Sequence, residues 1–158
     1  MPWPYGIFSI RERLEAKVTD AIYDPKAIGD VFDRALDRCF ERIVLGSDDS
    51  ISFLVLMNMK REITDQRIAV EITDGFVDPL TNLLIEGKDS IKIYALACVG
   101  WLHVKGKDRS AVIIEAGERG NDVSLMLAQR YKFGLFPKRK LTLQGRLELV
   151  GMRESRLK

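Results

Sequence analysis

IKIYALACVGWLHVKGKDRSAVIIEAGERGNDVSLMLAQRYKF, residues 91–133, is the stretch of sequence that decides the fold. It contains three extended, largely apolar runs that are separated by two polar breaks, each of which holds glycine. Because glycine tolerates positive φ, such breaks are typical of tight turns between antiparallel strands. The stretch therefore predicts an antiparallel β-meander that supplies the core of the protein.

The two turns set a register between the three predicted strands. If residues 106–107 form the first loop, His103 lies opposite Ser110, and if residues 119–120 form the tip of the second, Ser110 lies opposite Gln129. Side chains alternate between the two faces of a strand, so a slip of one residue would mix apolar and polar side chains. This register places one apolar set on one face: Val99, Trp101, Val112, Ile114, Val123, Leu125 and Leu127.

The other face of the meander is mixed, as expected for a partly solvated sheet. It carries Tyr94, Cys98, Arg109, Ile113, Glu115, Ser124, Arg130 and Lys132. A fourth strand is predicted at 141–149, LTLQGRLEL, where apolar residues and Gly145 alternate with polar ones.

Two helices are predicted before the meander. Ser9 and Glu12 have the spacing of a capping box, and apolar residues then recur every four positions, which predicts a helix over 10–23. Asp24 and Pro25 are typical N-cap and N1 residues, and a wide apolar stripe follows them, which predicts a helix over 25–45 with Gly46 as its C′ residue.

The middle of the chain gives weaker signals. Residues 50–63 are apolar on all sides at their centre, so periodicity does not separate a buried strand from a buried helix. Their Leu, Met, Lys, Arg and Glu content favours a helix. Residues 67–73 alternate and predict a short strand, and a short helix is predicted to start at Asp78-Pro79 and to end at Gly87.

These elements predict an α+β fold in which N-terminal helices pack on a mainly antiparallel β-meander of about four strands. The 158 residues suit a single domain. We expect an extended arm at 1–8, a mainly helical half at 9–87, the β-meander at 91–150 and a frayed basic tail at 152–158.

Composition favours a water-soluble protein of the cytoplasm. No apolar run approaches the roughly 18 residues that a membrane helix needs, and the first residues lack the basic and apolar segments of a signal peptide. Cys39 and Cys98 form no CxxC motif and are expected to be buried free thiols. No membrane association is expected.

Few residues suggest chemistry. His103 is the single histidine, so neither a histidine-based metal site nor a Cys/His zinc site is expected, and no cofactor motif is present. Cys98 and His103 lie five residues apart on one strand, so they would point to opposite faces. The predicted register instead makes His103, Ser110 and Gln129 a polar row, which is the candidate site for an enzyme or a small-ligand binder.

Two segments suggest binding. Residues 138–158 hold seven basic and two acidic residues, and the candidates for binding nucleic acid are Lys138, Arg139, Lys140, Arg146 and Arg153. The N-terminal arm carries three aromatic residues that are candidates for contacting a partner: Trp3, Tyr5 and Phe8.

The sequence is best interpreted as a small intracellular, non-enzymatic protein-binding protein of the adaptor, accessory or immunity type. Its expected partner is another protein or a second copy of itself. A nucleic-acid-binding protein and an enzyme remain the alternatives, and form alone does not decide between them.

Overall fold

The computed structural model describes residues 24–45, 52–68, 84, 87, 89–134, 140–155 and 157. Within this part of the chain there are one long α-helix and six β-strands. In chain order they are α1 (Pro25–Val44), β1 (Ser52–Asn58), β2 (Ile63–Arg67), β3 (Ile91–Val104), β4 (Lys107–Glu118), β5 (Val123–Gly134) and β6 (Lys140–Glu154).

The six strands form one antiparallel sheet in the order β2-β1-β3-β4-β5-β6. Strands β3 to β6 follow one another in sequence and in space, which confirms the predicted meander. The β1–β2 hairpin pairs with the other edge of β3. The described residues are therefore mostly sheet, with one helix packed against it.

Helix α1 confirms the prediction for residues 25–45 to within one residue. Asp24 is its N-cap and accepts a hydrogen bond from the Ala27 N–H at 3.1 Å, with Pro25 in the first turn. The apolar stripe of the helix packs on one face of the sheet, where Phe32 and Ala35 are fully buried together with Ile93 and Ala95 of β3.

Two carboxylates tie α1 to the sheet. The Asp24 carboxylate lies 2.7 Å from Arg61 Nη2 and 3.0 Å from Lys92 Nζ. Asp65 of β2 lies 2.6 Å from Arg34 Nε and 3.1 Å from Arg38 Nε. Burial alone would raise the pKa of Asp65, but the two arginines outweigh it and hold the pKa below its ordinary value.

The prediction of a helix over 50–63 is wrong. Residues 52–58 form β1, which lies between β2 and β3, and 63–67 form β2. The first four residues of β1 are buried because both of its faces are covered, so the strand lacks the polar/apolar alternation of a half-buried one. Where it is described, the 9–87 half therefore contains two strands as well as α1, and the sheet has six strands rather than four.

The predicted register is also wrong, by two residues in each hairpin. His103 lies opposite Asp108 rather than Ser110, and Val112 lies opposite Gln129 rather than Leu127. The first loop consists of residues 105–106, both with positive φ (50° and 78°), which is the two-residue type I′ geometry. A positive φ at Gly106 alone predicts a loop one residue too late in the chain, because Lys105 also has a positive φ.

A shift of two residues leaves every side chain on its predicted face. Val112, Ile114, Leu125 and Leu127 do pack under α1 with partly buried Val99. Trp101 lies on the same side of the sheet, opposite Ser110, but it is 72% exposed. It was expected in the apolar set, and it stands outside the buried cluster beneath α1.

The other face of the sheet is more buried than the predicted mixed, partly solvated face. Tyr94 is fully buried and donates a hydrogen bond from its hydroxyl to Glu115 Oε2 at 2.6 Å. Leu54 and Leu157 belong to the same buried cluster. The frayed tail predicted at 152–158 is therefore not seen in its described part, because β6 extends to Glu154 and Leu157 is 5% exposed.

Several predictions lie outside the described residues. These are the arm at 1–8, the helix at 10–23, Gly46 and most of the segments predicted at 67–73 and 78–87. In the part of the chain that is described, no helix has the length and apolar character needed to cross a membrane.

Candidate functional site

The most distinctive feature of the sheet is that it divides at one end. The β4–β5 ladder stops at the pair Ala111 and Arg130. The β3–β4 ladder continues to Val104 and Lys107, and the β5–β6 ladder continues to Gly134 and Lys140. The ends of the two hairpins therefore separate, and we call the space between them the hairpin cleft.

Like charges oppose continued pairing of the two hairpins at this point. Continuing the β4–β5 register past Ala111 would place Arg109 directly opposite Lys132. Like charges in directly opposed positions destabilise strand pairing. Both side chains are exposed in the separated arrangement, so each cation keeps its contact with water.

The hairpin cleft is concave and has a volume of about 850 Å³. This volume is within the range of about 300–1,000 Å³ that ligand sites commonly have. It is lined by Val104, Lys105, Lys107, Asp108, Arg109, Ser110, Arg130, Tyr131, Lys132 and Gln144. Five of these residues are basic and one is acidic, although the whole chain carries a net charge of only +2.

Most of the cations in the hairpin cleft are available to a ligand. Lys105, Lys107, Arg109 and Lys132 are exposed, and none of them has an ion-pair partner among the described residues. The single carboxylate of the cleft, Asp108, lies 3.0 Å from His103 Nδ1, and both of these side chains are at least 70% exposed. The cleft therefore presents a positive surface.

Arg130 lies at the closed end of the hairpin cleft and, unlike the other cations of the cleft, forms an ion pair within the described residues. Its Nη2 lies 3.3 Å from Glu148 Oε1, and its side chain is 24% exposed. Its guanidinium rests on Gly145 of β6, where an added Cβ would lie 2.6 Å from Nη2. Gly145 has a φ of 69° and lies where the β5–β6 register shifts, so this bulge makes the space that the guanidinium occupies.

The polar row predicted from the sequence does not form as a row. His103, Ser110 and Gln129 share one side of the sheet, but their direct cross-strand neighbours are Asp108, Trp101 and Val112. Ser110 lines the hairpin cleft, His103 is exposed at the tip of the first hairpin, and Gln129 is buried. The Gln129 side-chain amide donates to the backbone carbonyls of Arg130 and Gly145, which is a structural role.

The cysteines offer no reactive thiol. Burial, and then the nearby Cys98, raises the pKa of Cys39 to about 12. Burial, and then Glu115, also raises the pKa of Cys98. Both thiols therefore stay protonated near neutral pH, and thiols are far weaker nucleophiles than thiolates. Within the described ranges no group of three side chains is placed to hold a metal ion.

The other predicted binding residues are largely outside the described part of the chain. Trp3, Tyr5 and Phe8 lie there, as do Lys138 and Arg139. Lys140 and Arg153 are placed at the two ends of β6 by their backbones, and Arg146 is exposed in the middle of that strand.

Sequence reasoning missed the basic character of the hairpin cleft, although a signal was present. Lys107 and Arg109 alternate on β4, and Arg130 and Lys132 alternate on β5, so each strand directs two cations to one side. Two such pairs on neighbouring strands predict repulsion at the end of a ladder. Taken one strand at a time, these residues have the pattern of ordinary turn and solvent-face positions, and the repulsion is evident only when the two strands are considered together.

Fold and site together define an α+β protein with a basic, divided end to its sheet. No protein-family model matches the chain, and neither the curated proteins nor the solved structures give a significant match.

Proposed function

We propose that this protein binds an extended, acidic segment of another protein in the hairpin cleft, by strand addition. The observation that carries the proposal is the early end of the β4–β5 ladder at Ala111 and Arg130, which leaves two strand edges facing a basic cleft. In strand addition the backbone of a peptide pairs with an open strand edge and side-chain contacts supply specificity.

The backbone of the hairpin cleft suits a peptide. In antiparallel strands the N–H and C=O groups point alternately to the two neighbouring strands. Beyond Ala111 and Arg130, residues 107–110 of β4 and 132–134 of β5 have a ladder partner on one side only, within the described residues. About half of their backbone groups are therefore directed into the cleft, where a peptide strand can bond to them.

The outer edges of the sheet are less suited to strand addition. β2 has five residues, and its Asp65 is engaged by arginines of α1. β6 is long, but its pairing with β5 shifts register at two places, 126–127 and 128–130. Short edge strands and bulged edge strands are common ways in which proteins prevent unwanted pairing. The free edges of the hairpin cleft are also short, but the ladders on their other sides show no register shift there.

Charge selects the kind of peptide. Lys105, Lys107, Arg109 and Lys132 have no ion pairs among the described residues, so acidic side chains in a bound segment would meet free cations. Each exposed ion pair contributes only about 0.2–1 kcal/mol, and each backbone hydrogen bond contributes about 0.5–1.5 kcal/mol. Several of both kinds are needed, and the binding should weaken as salt screens the charges.

The experiment uses a fluorescent peptide of alternating glutamate and valine, about eight residues long, a usual strand length. At about 50 mM salt we expect saturable binding, and Arg109→Glu should weaken it by about tenfold or more because it replaces an attraction with a repulsion. Lys60→Glu is the matched control, since Lys60 is exposed in the β1–β2 turn at the opposite end of the sheet. Equal effects of the two substitutions, or no binding at low salt, would refute the proposal.

A single-stranded nucleic acid is the second candidate ligand, and Trp101 is the observation that favours it. The indole is 72% exposed, and Trp101 is paired with Ser110 of the cleft, on the face of the sheet opposite to Lys107 and Arg109. Bases stack on exposed aromatic rings, with about 1–3 kcal/mol per base. An oligonucleotide that binds more tightly than the peptide, and loses that affinity in Trp101→Ala, would favour this candidate.

A further inference from the structure

We infer that the closed end of the hairpin cleft binds the C-terminal carboxylate of the partner chain, with Arg130 as its anchor. This inference rests on the proposed function, because it specifies which part of a partner protein enters the cleft. It adds a chemical requirement, namely a free carboxylate at the end of the bound segment.

The shape of the hairpin cleft favours a chain end. Strands β4 and β5 rejoin at Ala111 and Arg130, and Ala111 is fully buried there. A peptide strand that lies between the two hairpins therefore has no path beyond this pair within the sheet. Either the partner chain ends at this point or it turns sharply out of the sheet, and a chain end satisfies the geometry without a turn.

Charge at the closed end selects a carboxylate over an ammonium group. Arg130 stands there, and Lys132 lies two residues further along the same side of β5. An N-terminal ammonium would be repelled by both cations, whereas a carboxylate would be attracted by both. Arginine also has the planar, two-pronged donor geometry that matches a carboxylate.

Arg130 has hydrogen-bonding capacity left over. Its Nη2 contacts Glu148 at 3.3 Å, but its Nε is buried and has no hydrogen-bond partner in the described part of the chain. The Nε itself is shielded from a ligand, but a guanidinium has five N–H donors, and the 3.3 Å contact with Glu148 engages only Nη2. The side chain as a whole is partly exposed, so a ligand can reach it.

Gly145 fixes the position of the anchor. An added Cβ at this residue would lie 2.6 Å from Arg130 Nη2, and the residue's φ of 69° is unfavourable for other amino acids. The guanidinium is thus held between the β6 bulge and Glu148 rather than free in solvent. A cation that is already positioned loses less conformational entropy on binding than a free lysine does.

The test compares three forms of one acidic peptide on the wild-type protein, all acetylated at the N-terminus. The first ends in a free carboxylate, the second in an amide, and the third continues for several uncharged residues. We expect the amide and the extended peptide to bind about tenfold more weakly than the free acid, which corresponds to the loss of one charge-assisted contact. In Arg130→Gln the three peptides should bind alike.

Lys105→Gln is the matched control, because Lys105 lies in the β3–β4 loop at the open end of the cleft, so its loss should weaken all three peptides and keep the preference for the free acid. Equal binding of the three peptides to the wild-type protein would overturn the inference and leave the proposed function standing. Failure of every peptide to bind would overturn both. The wild-type comparison needs no variant, so it decides the question even if Arg130→Gln does not fold.

Discussion

Replacing Gly117 by alanine is expected to lower the free energy of unfolding by about 3 kcal/mol. Gly117 lies opposite Tyr94 on β3, and an ideal Cβ there would lie 2.9 Å from the ring Cζ and 3.0 Å from the hydroxyl oxygen. The ring would have to move, which would disturb the 2.6 Å hydrogen bond from Tyr94 to Glu115. Overpacking costs about 1–3 kcal/mol, and a disturbed hydrogen bond to a buried charged group adds about 1.5–3 kcal/mol.

Thermal unfolding of a chain of this size should show a fall in Tm of about 10 °C, given about 2–4 °C for each kcal/mol. A double-mutant cycle provides the control. If the clash is the cause, Gly117→Ala should cost little in a Tyr94→Ala background, where the ring is gone. The same loss in both backgrounds would mean that the glycine is needed for its backbone and not for the ring beside it.

The second large effect is a gain in stability. Asp33→Asn is expected to raise the free energy of unfolding by about 2 kcal/mol at pH 8, allowing for the partial solvent contact of the side chain. Asp33 is half-buried on α1, and its Oδ1 has no hydrogen-bond partner among the described residues. Burial, followed by the charges of Asp37 and Asp30, raises its pKa from 3.8 to about 7.

The pH dependence of this effect has a definite sign. Between pH about 4 and about 7 the folded protein holds a proton on Asp33 that the unfolded chain releases, so wild-type stability falls as the pH rises through this window. Above pH about 7 the wild-type contribution is constant. The advantage of Asp33→Asn should therefore grow from pH 4 to pH 7 and then level off.

Urea unfolding at several pH values measures this advantage directly. Glu62→Gln is the control, because Glu62 is exposed and its removal should change stability by less than about 0.5 kcal/mol at any pH. If Asp33→Asn raises the free energy of unfolding by the same amount at pH 4 and pH 8, burial does not destabilise the ionised carboxylate of Asp33.

Local signals predicted the parts of the fold that local chemistry controls. Asp24 and Pro25 identified the start of α1 because capping and proline geometry act within one turn. The apolar face of β3 to β5 was also identified, because face assignment depends only on alternation and survives a register shift of two residues. The register itself is set by the type of turn. The turn between β3 and β4 needs a positive φ at Lys105, which is uncommon for a residue other than glycine.

The strands β1 and β2 could not be predicted because their state is decided by distant partners. Residues 52–58 contain good helix formers, yet they lie between β2 and β3, where both faces are covered. Packing in such a position outweighs helix propensities of well under 1 kcal/mol per residue. The position of the hairpin cleft likewise depends on where the β4–β5 ladder stops. The like charges that oppose pairing beyond that point lie on both strands.

Amide hydrogen exchange, followed by NMR with and without the acidic peptide, is the most direct test of strand addition in the hairpin cleft. In the free protein, the amides of 107–110 and 132–134 that point into the cleft should exchange quickly. Saturating peptide should protect these amides and leave those of the β1–β2 turn, residues 59–62, unchanged. Protection along β6 or β2 instead, or no protection in the cleft, would contradict the proposal that these two strand edges receive the partner.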